Sequence, residues 1–253
     1  MAETTPLLEL KGITKRFGAV RALNGVDFRV MPGEVVGLVG DNGAGKSTLV
    51  KVISGIHPAD EGEYLWGGQN RSVNTPPDAT HLGIATVYQD LALCDNLDVV
   101  ENLFLGQEAV NGGLLDEVTM EKKANDLLAE LSVTTIQSVR GEVGAMSGGQ
   151  RQSVAVARSV MWKAKVVLLD EPTAALGVEQ TKQVLELVLR LRNQGLGVIV
   201  ISHNLANVFE VADRIIVMRL GRRVGTFNRA DSSEQAVVGA ITGAEFGKFQ
   251  PQA

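Results

Sequence analysis

The chain has 253 residues, 45% of them hydrophobic, and a formal net charge of −5. That length supports one large domain, or one with an inserted subdomain, around a substantial core, and the acidic balance argues against broad electrostatic binding to nucleic acid or anionic lipid. The single cysteine, Cys94, excludes an internal disulfide and fits a reducing compartment. The longest apolar runs, 198–201 and 215–218, are too short to span a bilayer, and the acidic start at Glu3 carries no apolar export signal.

In chain order, residues 1–6 read as a short loose end, and 7–10 and 28–30 as strands. Between them, Lys15-Arg16-Phe17-Gly18 reads as a turn presenting an aromatic, and Met31-Pro32-Gly33-Glu34 as a second turn. The apolar, β-branched run 35–39 predicts a buried strand. It leads into Gly40-Asp41-Asn42-Gly43-Ala44-Gly45-Lys46-Ser47-Thr48, which is Gly, four residues, then Gly-Lys-Ser, the phosphate-binding P-loop pattern. Leu49, Val50 and Ile53 then share one helical face, closed by Gly55 and Pro58. Strand, glycine loop and helix form the context in which such a loop turns its N–H groups inward as an anion nest. Lys46 can reach the β- and γ-phosphates, and Ser47 can place a hydroxyl on Mg²⁺.

Residues 61–66 predict a hairpin arm, and 84–88 a strand stopping at Gln89. From Asp90 the texture changes. Residues 97–105 predict a helix, and Met120, Ala124, Leu127, Leu128 and Leu131 recur with helical period. A helical subdomain over about 90–161 is therefore expected, inserted in an α/β core over about 7–89 and 162–245 of one domain. Ser147-Gly148-Gly149-Gln150 opens a helix running to about Met161. Ser-x-x-Gln is a capping box, but a capping box needs no Gly-Gly. An open glycine backbone at a helix N-terminus suits an anion, so a second phosphate contact is the favoured reading.

The α/β rhythm then returns: strand 166–169 ending in Asp170-Glu171-Pro172, helix 178–191, strand 198–201 ending in Ser202-His203, helix 205–211, strand 215–218 pairing with 222–227 through Gly221, and a final helix 232–241. Asp170 after four apolar residues has the Walker B arrangement and can hold Mg²⁺. Glu171 can polarise an attacking water. His57, His81 and His203 alone read as ordinary core or loop histidines, and Gln89 as a surface glutamine. If the strands carrying the P-loop, Asp170-Glu171 and His203 are neighbours, these groups meet beyond their carboxyl ends.

Met146-Ser147-Gly148-Gly149-Gln150 resembles the signature of ATP-binding cassette (ABC) ATPases, with Met for the usual Leu. Together with the P-loop, the chain resembles the nucleotide-binding subunit of an ABC transporter over nearly its whole length. The resemblance implies an α/β P-loop core with a mixed sheet, an antiparallel β arm and the inserted helical subdomain. It puts Gln89 at the Q-loop, as a catalytic and metal contact, His203 at the switch histidine and Phe17 where an aromatic stacks on adenine. Tyr88-Gln89-Asp90-Leu91-Ala92-Leu93, Glu101-Asn102-Leu103-Phe104-Leu105-Gly106 and Glu171-Pro172-Thr173-Ala174-Ala175-Leu176 resemble the carbohydrate-uptake branch. That implies an ATPase using ATP and Mg²⁺ to energise sugar import. Two cassettes would close head to tail, each P-loop facing the partner's 147–150, with hydrolysis reopening the pair. The stretch 89–105 would touch a permease on the inner face of the cell membrane, served indirectly by an extracytoplasmic binding protein. Gly177 departs from the family, where most cassettes carry an Asp that helps couple the two sites. Cys94 reads as an incidental thiol. Two other readings stay open: a non-transport ABC ATPase acting on DNA or ribosomes, disfavoured by the short helical stretch, the single cassette and the acidic charge, and a P-loop kinase or GTPase, which leaves 147–150 and His203 unexplained.

Overall fold

The computed structural model describes residues 5–244. Glu3, most of the expected loose end and the expected core limit at 245 lie outside those residues. Two sheets organise the chain. An antiparallel sheet has the order β2-β1-β4-β5, from β1 (Leu8–Phe17), β2 (Val20–Val30), β4 (Glu61–Trp66) and β5 (Gln69–Asn70). A six-stranded mixed sheet has the order β12-β11-β3-β10-β9-β6. Its members are β3 (Val35–Gly40), β6 (Ile84–Val87), β9 (Val166–Asp170), β10 (Gly197–Ile201), β11 (Arg214–Arg219) and β12 (Arg222–Asn228). All neighbours are parallel except β12 on β11.

The apolar runs of β3, β9 and β10 are continuous because both faces of this sheet are covered. Val36, Leu38, Val166, Leu168, Ile199 and Ile201 face the antiparallel sheet and α1 (Lys46–Ile53). The alternate residues Val35, Val39, Val167, Leu169, Val198 and Val200 face the other layer. That layer holds α3 (Val99–Phe104), α4 (Glu117–Glu130), α5 (Gly148–Val160), α6 (Val178–Asn193), α7 (Leu205–Val211) and α8 (Glu234–Thr242). Met120, Ala124 and Leu128 of α4 are buried there, the period expected of that helix.

Several elements differ from expectation. β1 runs on to Phe17, so Lys15 and Arg16 are strand residues and only Gly18 and Ala19 make the turn. Bulges between Leu10 and Ile13 break the two-residue alternation, with Gly12 at φ +62°, and hide the length of the strand. The stretch 69–83, left without a predicted element, contains α2 (Pro76–Leu82), which opens on two prolines. They occupy its first turn, where no N–H is needed, behind a Thr75–Asp78 capping box. A small hairpin, β7 (Val110–Asn111) with β8 (Leu114–Leu115), was not predicted either.

Candidate active site

Three side-by-side parallel pairings set the site: β3 with β10, β10 with β9, and β9 with β6. The P-loop follows β3, His203 lies two residues past β10, Asp170 ends β9, and Gln89 lies two residues past β6. The four groups therefore emerge in one row at the carboxyl edge of the sheet, the crevice in which open α/β sheets bind ligands.

The P-loop is held by close packing beneath it. Gly40 lies at φ +150°, and a Cβ there would sit 2.2 Å from the Met218 carbonyl oxygen, so no side chain fits. Gly45 caps α1 in the left-handed region without a side-chain bond, which leaves the first-turn N–H groups open to an anion. Ser47 is exposed and Thr48 half-buried. Lys46 Nζ donates to the Gly40 carbonyl at 2.7 Å and to the Asp41 carbonyl at 3.1 Å. The ammonium is thereby folded over the loop that Asn42, Gly43 and Ala44 complete.

Across the row, Glu171 adopts φ +51°, a strained value for a non-glycine residue. Its N–H nevertheless donates to the Ile201 carbonyl at 2.9 Å, extending the ladder to β10. The strained backbone turns its side chain, 17% exposed, so that Oε2 lies 2.8 Å from Nδ1 of the 76% exposed His203. The His203 N–H donates to the same oxygen at 3.4 Å. A carboxylate and an imidazole in hydrogen-bond contact at a cleft suit general-base chemistry. Burial raises the pKa of the Asp170 carboxyl above the usual carboxylate range, and the neighbouring Glu171 charge adds to this. Lys46 and Lys51 act in the opposite sense.

Phe17 ends β1 opposite Val20, and both are exposed, at 44% and 66%. The Phe17 ring is braced by His57, 5.1 Å away and edge-on, and Lys15 Nζ lies 5.7 Å from its centroid. Val20 was not singled out in the sequence. Its signal would have been an apolar residue on a tight turn that has no core to enter.

The 147–150 segment stands apart from this row. Among the described residues no hydrogen bond joins it to the P-loop. Both readings of it are physically served. The capping box forms, with the Gln150 N–H donating to Ser147 Oγ at 3.3 Å and the Ser147 N–H to Gln150 Oε1 at 2.9 Å. Gln150 Nε2 donates to the Thr135 carbonyl at 2.6 Å, so its side chain is engaged in structure. The glycines also have a packing reason that the sequence did not disclose. A Cβ on Gly148 would lie 2.9 Å from Leu176 Cδ2, and one on Gly149 3.0 Å from Gln180 Cβ, where α5 crosses the start of α6. What remains for a ligand is the exposed Ser147 hydroxyl and the first-turn N–H groups of α5. Gly177 is the N-cap of α6, at φ −71°, and its place has room for a larger side chain.

No group of three or more His, Cys, Asp or Glu among the described residues could hold a metal ion. Ser47, Asp170 and Gln89 offer a hydroxyl, a carboxylate and an amide oxygen. That donor set suits Mg²⁺ only when substrate phosphates complete the coordination.

The ABC transporter family profile matches residues 23–174. The fructose import ATP-binding protein FrcA of Rhizobium meliloti is 47% identical over 247 residues, covering 95% of each chain. The xylose/arabinose import ATP-binding protein XylG of Sulfolobus acidocaldarius is 45% identical over 242 residues, covering 96% of each. A ribose import ATP-binding protein of Rubrobacter xylanophilus is 42% identical over 94% of this chain but only 47% of its own length. Among solved structures, an ABC transporter cassette in its ADP conformation superimposes with a TM-score of 0.79 at 27% identity, covering 94% of this chain and 96% of that one. A dimeric cassette in a post-hydrolysis state, bound to ADP and phosphate, gives 0.72 at 26% identity, covering 88% and 98%.

Proposed function

The chain belongs to the ABC transporter family, and on that premise we propose that it is the ATP-hydrolysing subunit of a sugar importer. It is an ATPase with the cassette fold. The observation that carries the reading is the row at the sheet edge, where the P-loop, His203, Asp170-Glu171 and Gln89 follow four adjacent parallel strands. The sugar assignment is supported by full-length similarity to fructose and xylose/arabinose import ATP-binding proteins.

In this reading Phe17 and Val20 take the adenine, and the P-loop amides and the α1 N-terminus take the phosphates. Lys46 exchanges its Gly40 and Asp41 carbonyl partners for β- and γ-phosphate oxygens. Ser47, Asp170 and Gln89 would hold Mg²⁺, which supplies neutralisation of the phosphate charge. Glu171 accepts the proton of the attacking water, and His203, hydrogen-bonded to its Oε2, keeps that carboxylate aimed. Two copies pair head to tail, with Ser147, Gly148 and Gly149 facing the partner's nucleotide. The separation of 147–150 from the P-loop within one chain supports this, as does the likeness to a dimeric cassette. A permease would hold the pair at the inner face of the membrane, a reading supported by the likeness to import ATP-binding proteins.

The test is uptake. Cells lacking this chain are supplied with labelled fructose, xylose, arabinose or ribose, then complemented with wild type or Lys46→Ala. Wild type restores uptake of at least one sugar and Lys46→Ala restores none, while the purified Lys46→Ala chain hydrolyses no ATP. Unchanged uptake of every sugar in the deletion, or turnover by purified Lys46→Ala near the wild-type rate, overturns the reading.

A further inference from the structure

Arg158 sits near the end of α5, the helix that Ser147 begins. It is a half-buried cation, and among the described residues no carboxylate lies within ion-pair distance of it. Its guanidinium instead donates to two successive backbone carbonyls, Leu91 and Ala92, at 2.9 Å each. Ala92 is held at φ +49°, a conformation that alanine rarely adopts unless its surroundings impose it. A charge placed in a partly desolvated site without a counter-ion is retained only where its hydrogen bonds are fixed and satisfied.

The rest of the segment after Gln89 is fastened to the same body. Arg151, also on α5, pairs with Asp95 at 2.6 Å. The Gly144 N–H, just ahead of Ser147, donates to the Asp95 carbonyl at 2.9 Å. The fully buried Asn102 of α3 exchanges hydrogen bonds with Cys94 in both directions, at 2.8 and 3.0 Å. Among the described residues no hydrogen bond of 91–97 reaches the mixed sheet. Gln89 and Asp90, both exposed, are where the chain leaves β6 and joins the helical layer.

We propose that Arg158 is a positioning residue for hydrolysis, a strut that ties the segment behind Gln89 to the helix presenting Ser147. Movement of Gln89 onto the Mg·ATP it would help to hold then carries 91–95, and through Arg158 and Arg151 the first turn of α5, as one piece. A guanidinium suits this task because its planar fork grips two acceptors at once, whereas an ammonium is a single point. The inference rests on the ATPase reading above and on the head-to-tail pair.

The experiment is amide hydrogen exchange on the full chain in the Glu171→Gln background, with and without Mg·ATP, comparing Arg158 with Arg158→Met. ATP affinity is followed in parallel with a fluorescent ATP analogue. In the parent, ATP slows exchange both in 90–98 and in 147–155. In Arg158→Met, ATP affinity stays within about twofold, 90–98 still responds, and the response of 147–155 falls at least about fivefold. Arg158→Lys, with one donor group in place of the fork, recovers part of it. A loss of packing alone would lower protection with or without ATP and would not follow the rescue. Arg158→Gln replaces Arg158→Met, with the same expectations, if the latter does not fold. A variant in which both peptides respond as in the parent overturns the strut while leaving the ATPase reading intact. No ATP response in the parent overturns the ATPase reading itself, and the strut with it.

Discussion

Replacing Glu171 by Gln changes one oxygen to an amide group and leaves size and shape unchanged. The Gln oxygen can still accept from His203, whose ring nitrogen lies 2.8 Å from Oε2 and whose N–H lies 3.4 Å from it. The strained backbone at φ +51° is a property of the chain path and is not altered. Removing the Glu171 charge also takes away the second cause of the raised Asp170 pKa, so Asp170 ionises more readily and metal-assisted ATP binding is maintained or improved. What is lost is a carboxylate able to take a proton. General-base assistance is worth about 10²–10⁴ in rate, or roughly 3–5 kcal/mol of barrier. Phosphate release by the purified variant should fall by that factor while fluorescent-ATP affinity stays within about threefold. On a sizing column with Mg·ATP the variant should run as a dimer and wild type largely as monomer. Turnover within tenfold of wild type would remove Glu171 from the catalytic set. A loss of ATP affinity as severe as that of Lys46→Ala would show that Glu171 holds the nucleotide or the fold, not the water. A variant that is ATP-loaded yet monomeric would place the pairing force in the permease.

Ser147→Arg should keep monomer ATP affinity but abolish ATP-driven dimers on the same column. Loss of the α5 cap costs about 0.5–2 kcal/mol, visible as a lower melting temperature; a loss of monomer affinity would refute the assignment of Ser147 to the partner's nucleotide. For Asp170→Asn the sign follows from the raised pKa. The folded chain binds this proton more tightly than the unfolded chain, so the ionised carboxylate lowers stability as pH rises from the ordinary carboxylate value through the raised one. Without nucleotide, Asp170→Asn should therefore melt above wild type at pH 7, with the gap closing on acidification toward pH 4, while Mg·ATP stabilises wild type more than the variant; a lower melting point at pH 7 would contradict this. Gly177→Asp should add the missing N-cap acceptor to α6, at a position with no atom within 4 Å of a new Cβ. The gain is a few tenths of a kcal/mol, about 1 °C in melting temperature, and any decrease would count against the cap geometry.

The parts of this protein that were legible in the sequence are those in which one physical signal dominates. The runs 35–39, 166–169 and 198–201 are apolar at every position, and they became the central strands because both sheet faces are buried. The P-loop and Asp170-Glu171 were legible because a glycine spacing and a carboxylate after an apolar run are local patterns. Their meeting in one row was not local. It depends on β10 pairing between β3 and β9, although β10 is the later in sequence. β1 was truncated in the reading because Gly12 and its bulge interrupt alternation. The glycines of 147–150 were read for phosphate alone because their contact with Leu176 and Gln180 spans two helices. Arg158 carried no signal at all, since its partners are backbone carbonyls of Leu91 and Ala92, which no side-chain pattern encodes.

The row of strand ends also sets what kinds of sequence change the site can absorb. The residues to which we assign the chemistry lie at or just past the ends of β3, β6, β9 and β10, while the runs before them are mostly aliphatic, with Thr86 of β6 the polar exception. Exchanging one aliphatic residue for another of similar volume there costs less than about 1.5 kcal/mol and leaves each loop where it was. Inserting or deleting one residue is a different event. It shifts the loop by about 3.3 Å along the strand, forward for an insertion and back for a deletion, and turns every following side chain to the opposite face. A shift of that size in β9 would carry Glu171 out of reach of His203. These strands should therefore vary freely in letter and hardly at all in length, and a library allowing Val, Ile and Leu at 166–169 and 198–201 should return many active chains, whereas a one-residue deletion within either strand should return none.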